Sequence, residues 1–513
     1  MLARLSSVAV RGIEAVLLEV EVDLGRGLPG TVILGLPDKA VNESRDRVKA
    51  AVLNSGYDFP VRKITVNLAP ADLRKEGPAY DLPIALGVLS ASGTLKPGPR
   101  ALRTAAVGEL SLEGVLRPVK GALSMAMACR AGGMARLILP QANSAEAALV
   151  EGLDVLGVTT LAEAAEAFVE SAPDRAVRSE ARSLLEDSGG DGEPDFSEVL
   201  GQEHAKRALV IAAAGGHNAL MVGPPGSGKT MLARRLPSIL PPLSVEEALE
   251  ATRVHSVAGN LPPGVPLLSS RPFRAPHHTV SLMGLVGGGA VPRPGEISLA
   301  HLGVLFLDEM PEFHRRTLEV LRQPLEEGTV TIGRARGSES FPASFMLLAS
   351  MNPCPCGFYG DPKRACQCNP RQIQGYLGRI SGPLLDRIDL HLEVRRVPSQ
   401  ALGKAGKEGM SSAEARQGVL KARSRQEKRF KKAGMTNARM SSRQVKSFCS
   451  LPADAEALLH RALDEMSLST RAYHRILKVA RTIADLEGAQ DISLSHVAEA
   501  IQYRALDRGL WQV

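Results

Sequence analysis

The chain has 513 residues, well past the ~250 to 300 at which one hydrophobic core stops growing, so two to four domains are expected and a single small module is excluded. With 44% hydrophobic and 23% charged residues, and with 49 glycines and 34 prolines that form no repeat, the composition is globular and excludes collagenous and wholly disordered classes. Lys plus Arg number 62 against 55 for Asp plus Glu, a net charge of +7, which a solvated surface explains as well as a polyanion partner does until the charge is seen to cluster.

Arg4, Arg11 and Glu14 interrupt the apolar stretch a signal peptide needs, and the run Leu82 to Leu95 is too short to span a bilayer of ~30 Å, so a cytosolic chain without membrane contact is expected. Six cysteines do not make a disulfide scaffold at this size and are expected as thiols or metal ligands. From Val8 to Val22 apolar and polar residues alternate as in strands, Asp38 to Asn54 has helical spacing, and Lys63 to Leu68 is a further strand. The first region therefore reads as mixed α/β and ends near residue 170. Residues 171–195 have a linker's composition, with Gly189, Gly190, Gly192 and Pro194 and almost no large apolar side chains. A second region runs over 196–397. In it Ala219 to Val222, Val304 to Leu307 and Phe345 to Ala349 are apolar throughout, as strands of a parallel sheet covered on both faces should be. Residues 398–412 read as a second linker, and 413–513 as helices, notably Ala413 to Lys432 and Arg471 to Glu487.

The first of those apolar strands runs into Gly223-Pro224-Pro225-Gly226-Ser227-Gly228-Lys229-Thr230 and then into a helical pattern. This is the G-x-x-x-x-G-K-[ST] loop in its strand-to-helix context. Its amides and the helix N-terminus suit phosphate oxygens, Lys229 reaches the β and γ phosphates, and Thr230 holds Mg²⁺. The second strand delivers Asp308 and Glu309 to the sheet edge, one to order the Mg²⁺ and one to deprotonate the attacking water. At the end of the third strand Asn352 either positions that water or opens a turn before Pro353. Arg387 stands between Asp386 and Asp389, and pairing with one of them is the plain alternative to a role in hydrolysis.

These elements in this order, with Pro272-Phe-Arg-Ala-Pro-His-His278, Pro294-Gly-Glu-Ile-Ser-Leu-Ala-His301 and Met351-Asn-Pro-Cys-Pro-Cys-Gly357, resemble the magnesium-chelatase-like AAA+ family of YifB and ComM over essentially the whole chain. The resemblance implies an α/β architecture: a Lon-like (S5-like) α+β domain, a P-loop three-layer α/β domain and a helical lid. It implies ATP and Mg²⁺ as cofactors and a homo-hexameric ring. In that ring Asn352 is sensor 1, Arg387 the arginine finger reaching a neighbour's ATP, and Arg471 sensor 2. By the same likeness residues 329–344, with Arg334 and Arg336 at the tip, form a pre-sensor 1 hairpin that touches DNA. Aromatics are only 4% of the chain, so a grip on single-stranded or branched DNA would be by phosphate contacts and indifferent to sequence.

Residues 1–170 resemble the proteolytic domain of Lon, with Ala79 where its nucleophilic serine belongs and Leu123 and Met125 at the positions of its catalytic lysine. Lys120 is off that register. A peptidase without nucleophile or base is inactive, so the region reads as a scaffold. Cys354, Cys356, Cys366 and Cys368 form C-x-C-x₉-C-x-C, which reads either as four zinc ligands or as ordinary loop thiols. Cys129 and Cys449 read as core fillers, and His277-His278 as a turn feature or an interface contact rather than a metal site. The reading is an ATP-dependent DNA helicase that promotes branch migration in natural transformation. Its rival is a chelatase-type motor acting on a protein partner, which the amino-terminal Lon-like region argues against. An ATP-dependent protease is disfavoured by Ala79.

Overall fold

In the computed structural model, which describes residues 1–169, 176–186, 194–289, 291–334, 337–361, 363–396, 409–466 and 469–506, the alternating stretch at the start is a hairpin. Strand β1 (Leu2–Arg11) pairs antiparallel with β2 (Glu14–Gly25). β3 (Gly30–Leu34), β4 (Lys63–Ala69), β5 (Thr104–Ala106), β6 (Arg136–Pro140) and β7 (Asp154–Val158) complete a mixed sheet in the order β3-β4-β2-β1-β5-β6-β7. Its pleat sends Leu137 and Leu139 into one apolar cluster and Ile138 into another, so helices cover both faces. The helix Lys39–Asn54 is started by Asp38, whose carboxylate accepts from the Val41 amide at 2.8 Å. The apolar run after Asp81 is a helix, Asp81–Ser92, buried along almost its whole length.

The second sheet is parallel throughout. It comprises β8 (Ala219–Val222), β9 (Phe273–Arg274), β10 (Val304–Leu307), β13 (Met346–Met351) and β14 (Leu390–Glu393) in the order β9-β10-β13-β8-β14. Alternate residues again divide: Leu220, Leu305, Leu307 and Leu347 face one cluster, Met221, Phe306, Leu348 and Leu392 the other. Helices Glu203–Gly215, Ser412–Phe430 and Thr470–Glu487 contribute to the latter cluster. Between β10 and β13 lies an antiparallel hairpin, β11 (Thr329–Arg334) and β12 (Gly337–Pro342), whose Val330, Ile332 and Phe341 are buried in the first cluster.

The first linker is not without structure. Ala181–Glu186 is a helix, and its Ala181, Leu184 and Leu185 pack against a cluster containing Leu123, Leu149, Leu243 and Leu267. Three apolar residues at i, i+3 and i+4 suffice for a helical stripe, although they vanish in the average composition of the segment. Most of the second linker lies outside the described residues. The helix after it starts at Ser412, with Ser411 capping the Glu414 amide. No helix among the described residues is long and apolar enough to cross a membrane.

Candidate active site

In a parallel sheet every strand ends at the same edge, so the loops after β8, β10 and β13 meet there although far apart in sequence. The loop after β8 turns at Gly223, where an added Cβ would lie 2.1 Å from the Val394 carbonyl oxygen, and at Gly228, whose φ is +93°. Helix Lys229–Ile239 follows with no side chain capping its first amides, the form of an anion site at a helix N-terminus. Lys229 is buried and its Nζ donates to the carbonyls of Gly223 (2.7 Å) and Pro224 (3.0 Å) and to Asn352 Oδ1 (3.3 Å). Burial pulls its pKa below the usual lysine range, against the attraction of Asp308 and Glu309.

Asp308 accepts from the Thr230 hydroxyl at 2.8 Å on one oxygen, and on the other from the Ser350 hydroxyl and the Glu309 amide. Thr230 and Asp308 thus present oxygens side by side, the donor type that Mg²⁺ prefers. Glu309 takes φ +51°, a left-handed conformation that costs a non-glycine residue about 1 kcal/mol and tends to be kept at functional sites. Its carboxylate is half exposed, with His278 Nδ1 4.0 Å away. Asn352 touches Lys229 and also stands at the start of the bend that follows β13, so it meets the phosphate loop and opens a turn at once. The His277 and His278 rings lie 4.1 Å apart between centroids, tilted by 34°, and His278 stands beside Glu309, a neighbour not evident in sequence. Gln202 is a further residue the motifs missed: its amide donates to the Ser227 carbonyl at 3.0 Å and to the Arg395 carbonyl, tying the phosphate loop to the end of β14. Its only sequence signal is a Gly-Gln pair opening a helix.

Arg387 is elsewhere. It precedes the first residue of β14, which runs parallel to β8 and lies next to it, so it sits at the opposite edge from the phosphate loop. Its guanidinium pairs with Glu326 and donates to the Pro383 carbonyl at 2.6 Å, not with Asp386 or Asp389 as the plain alternative had it. Those two carboxylates are engaged by the last helices: Arg471 reaches Asp386 at 3.7 Å, and Asp389 is held by Arg475, by His217 Nδ1 at 3.1 Å and by the Asn218 amide. Burial opposes the charge on Asp389, yet Arg475 and His217 keep its carboxyl far below the usual range. Arg387, Arg471, Arg475 and Lys478 line one cleft of about 1280 Å³ between the sheet edge and the helical region.

Of the expected hairpin tip, Arg336 lies outside the described residues, and only the place of Arg334 at the end of β11 is described. The return strand touches the amino-terminal sheet, where Arg11 Nε lies 2.9 Å from Glu339. In that sheet's region Leu123 is fully buried against Leu149, Leu243, Ala248 and Leu267, Met125 lies in the core, and Lys120 Nζ points to the Ala258 carbonyl at 3.5 Å. Ala79 also packs against this core. The positions matching Lon's dyad are therefore occupied by packing. Cys129 and Cys449 are buried, as expected of core residues, while Cys354, Cys356, Cys366 and Cys368 bring their sulfurs within 4.8 Å of one another.

Family models described as "Magnesium chelatase, subunit ChlI", "Subunit ChlI of Mg-chelatase" and "Magnesium chelatase, subunit ChlI C-terminal" match residues 195–402, 20–143 and 409–504. The YifB protein of Salmonella typhimurium is 47% identical over 506 residues, 98% of this chain and 96% of that one. Competence protein ComM of Haemophilus influenzae is 46% identical over 509 residues, 99% and 98% of the two chains. The magnesium-chelatase 67 kDa subunit of Chlorobaculum parvum is 30% identical over 162 residues, 31% of this chain and 23% of its own.

Proposed function

Because the chain belongs to the magnesium-chelatase-like AAA+ family of YifB and ComM, we propose that it is an ATP-hydrolysing ring motor that moves along DNA and promotes branch migration when incoming DNA is recombined. The competence-related role of ComM, known here from that protein's name, supports the choice of substrate. The observation that carries the motor reading is the position of the β11–β12 hairpin. It joins the strand that ends at Asp308-Glu309 to the strand that ends at Asn352, and its apolar residues share their cluster with both strands. A change at the hydrolysis edge is thereby transmitted to the hairpin through packed side chains.

In this mechanism the amides of Gly226, Gly228, Lys229 and Thr230 and the Lys229 ammonium would hold the ATP phosphates, and Thr230 with Asp308 would hold Mg²⁺, which would supply neutralisation of phosphate charge. Glu309 accepts the proton of the attacking water, and Asn352 accepts from Lys229 at 3.3 Å and so fixes the lysine. Arg387 and Arg471 serve the ATP of an adjoining subunit in a homo-hexamer, since neither stands at its own hydrolysis edge. The Lon-like region acts as a scaffold without peptidase activity.

The test is Arg334→Ala with Arg336→Ala, with nucleotide binding measured in parallel as the check on folding. DNA affinity should fall equally across unrelated sequences, and each lost phosphate contact should lower the log-log salt slope by roughly 0.7 to 0.9. Undiminished DNA binding would refute the hairpin's role. A chelatase-type motor acting on a protein partner is the second reading. It gains from the match of residues 20–143 to a ChlI description, which removes the argument that the amino-terminal region sets the chain apart from chelatases. Absence of any DNA affinity at low salt in the wild type would favour it.

A further inference from the structure

The four clustered cysteines follow Asn352 directly. Cys354 is buried, and its Sγ lies 3.4 Å from Cys356 Sγ and 3.7 Å from Cys366 Sγ; Cys356 and Cys366 are 3.6 Å apart. Four thiolates around one Zn²⁺ at a Zn–S distance of ~2.3 Å stand about 3.8 Å from each other along the edges of the tetrahedron. The observed separations are close to that figure and too long for disulfide bonds, whose sulfurs stand ~2.05 Å apart. A multi-iron cluster would hold its thiolates further apart, because metal and sulfide atoms would stand between them.

The loop is also furnished as a metal site requires. Backbone amides point at the sulfurs: Tyr359 N to Cys354 at 3.3 Å, Cys356 N to Cys368 at 3.4 Å and Cys368 N to Cys366 at 3.4 Å. Such donors orient thiolates and offset their charge. Between the two pairs, Phe358 lies under the Arg364 guanidinium at 4.2 Å and within 5.5 Å of Arg396, which follows β14, so the loop is fastened to the sheet. Its other face rests on the phosphate loop. At Gly357, where φ is +84°, an added Cβ would lie 2.6 Å from Pro225 Cδ and 3.8 Å from Asn352 Cγ.

We infer that Cys354, Cys356, Cys366 and Cys368 bind one structural Zn²⁺ ion, and that this ion holds the loop which braces Pro225 and Asn352 in the nucleotide site. The metal assignment stands by itself, and the effect on nucleotide rests on the ATPase reading.

The experiment uses the full-length chain purified in reductant without chelator. Elemental analysis should find about one zinc per chain, and Co²⁺ grown in its place should give the absorption of a tetrahedral thiolate site. Cys366→Ser and Cys368→Ser should each lose the metal, whereas Cys129→Ser with Cys449→Ser should keep it. Stripping the wild type with a mercurial should weaken binding of a fluorescent ATP analogue about tenfold, and Zn²⁺ should restore it. Wild-type chain that holds no transition metal and takes up no Co²⁺ would overturn the assignment, as would one iron per chain or full zinc in both single variants. Zinc present but analogue affinity unchanged on stripping would overturn the bracing role alone. If the metal-loaded wild type bound no nucleotide at all, the ATPase reading would fall and the zinc assignment would stand.

Discussion

Replacing Arg387 by alanine separates chemistry from stability cleanly. β14 has four residues, so Arg387 lies about 13 Å or more from the phosphate loop at the far end of the neighbouring parallel strand. That is farther than an arginine side chain extends, so in the proposed ring the guanidinium serves another subunit's ATP. Supplied in trans, such an arginine is worth roughly 10³ to 10⁵ in rate, or about 4 to 7 kcal/mol. The fold loses much less. Glu326, its partner, has a side chain 58% exposed and stays solvated when the pair is broken, whereas Arg387 is buried and also donates to the Pro383 carbonyl, so truncation to alanine should cost about 1 to 3 kcal/mol. The Asn218 side chain bonds the Arg387 backbone carbonyl, which alanine retains. Purified Arg387→Ala should therefore stay folded, with melting lowered by about a few degrees, and hydrolyse ATP at least 10³-fold more slowly. Mixed with Lys229→Ala before ring assembly, it should recover activity, because some interfaces pair an intact phosphate loop with an intact arginine. Random mixing of equal amounts makes about one interface in four of this kind, so roughly a quarter of wild-type turnover is the ceiling. Wild-type turnover by Arg387→Ala alone, or no recovery in the mixture when subunit exchange is demonstrated, would refute this geometry.

Arg471→Ala should fall in the same complementation group: activity returns on mixing with Lys229→Ala and not with Arg387→Ala, since both arginines line one cleft. Glu309→Gln should retain ATP binding, measured by equilibrium titration, and lose hydrolysis by a factor of about 10² to 10⁴, because the Mg²⁺ and phosphate contacts remain while the water loses its base. Leu123→Ala removes a fully buried side chain between the amino-terminal region and the helix Val245–Ala258, and should lower stability by about 3 kcal/mol in denaturant titration. Iodoacetamide at pH 8 should leave Cys129 and Cys449 unmodified in the folded chain and alkylate both in urea. Burial pushes each thiol up to about 12, which removes the thiolate.

The candidate site was legible wherever one short segment carries its own physical requirement. A loop that folds around phosphate needs glycines at fixed offsets, and a strand buried on both faces must be apolar from end to end. Hence 223–230, Asp308 with Glu309, and the ends of three strands could be named from sequence. The pairings could not. Lys229 meets Asn352 across 123 positions and Thr230 meets Asp308 across 78. Those contacts depend on the order β10-β13-β8-β14, which no periodicity encodes. That same order decided that Arg387 faces away from its own phosphate loop and pairs with Glu326, and that Asp389 is gripped by Arg475 and His217. The cysteine spacing left metal ligands and loose thiols equally open, because the approach of the four sulfurs is set by how the loop folds back over Gly357. Leu123 looked like a missing lysine, and only packing revealed it as part of the contact between two regions of the chain. Local backbone chemistry is written in consecutive residues, whereas long-range pairing is fixed by the packing of whole layers, and it was the second that decided which of the named residues share a site.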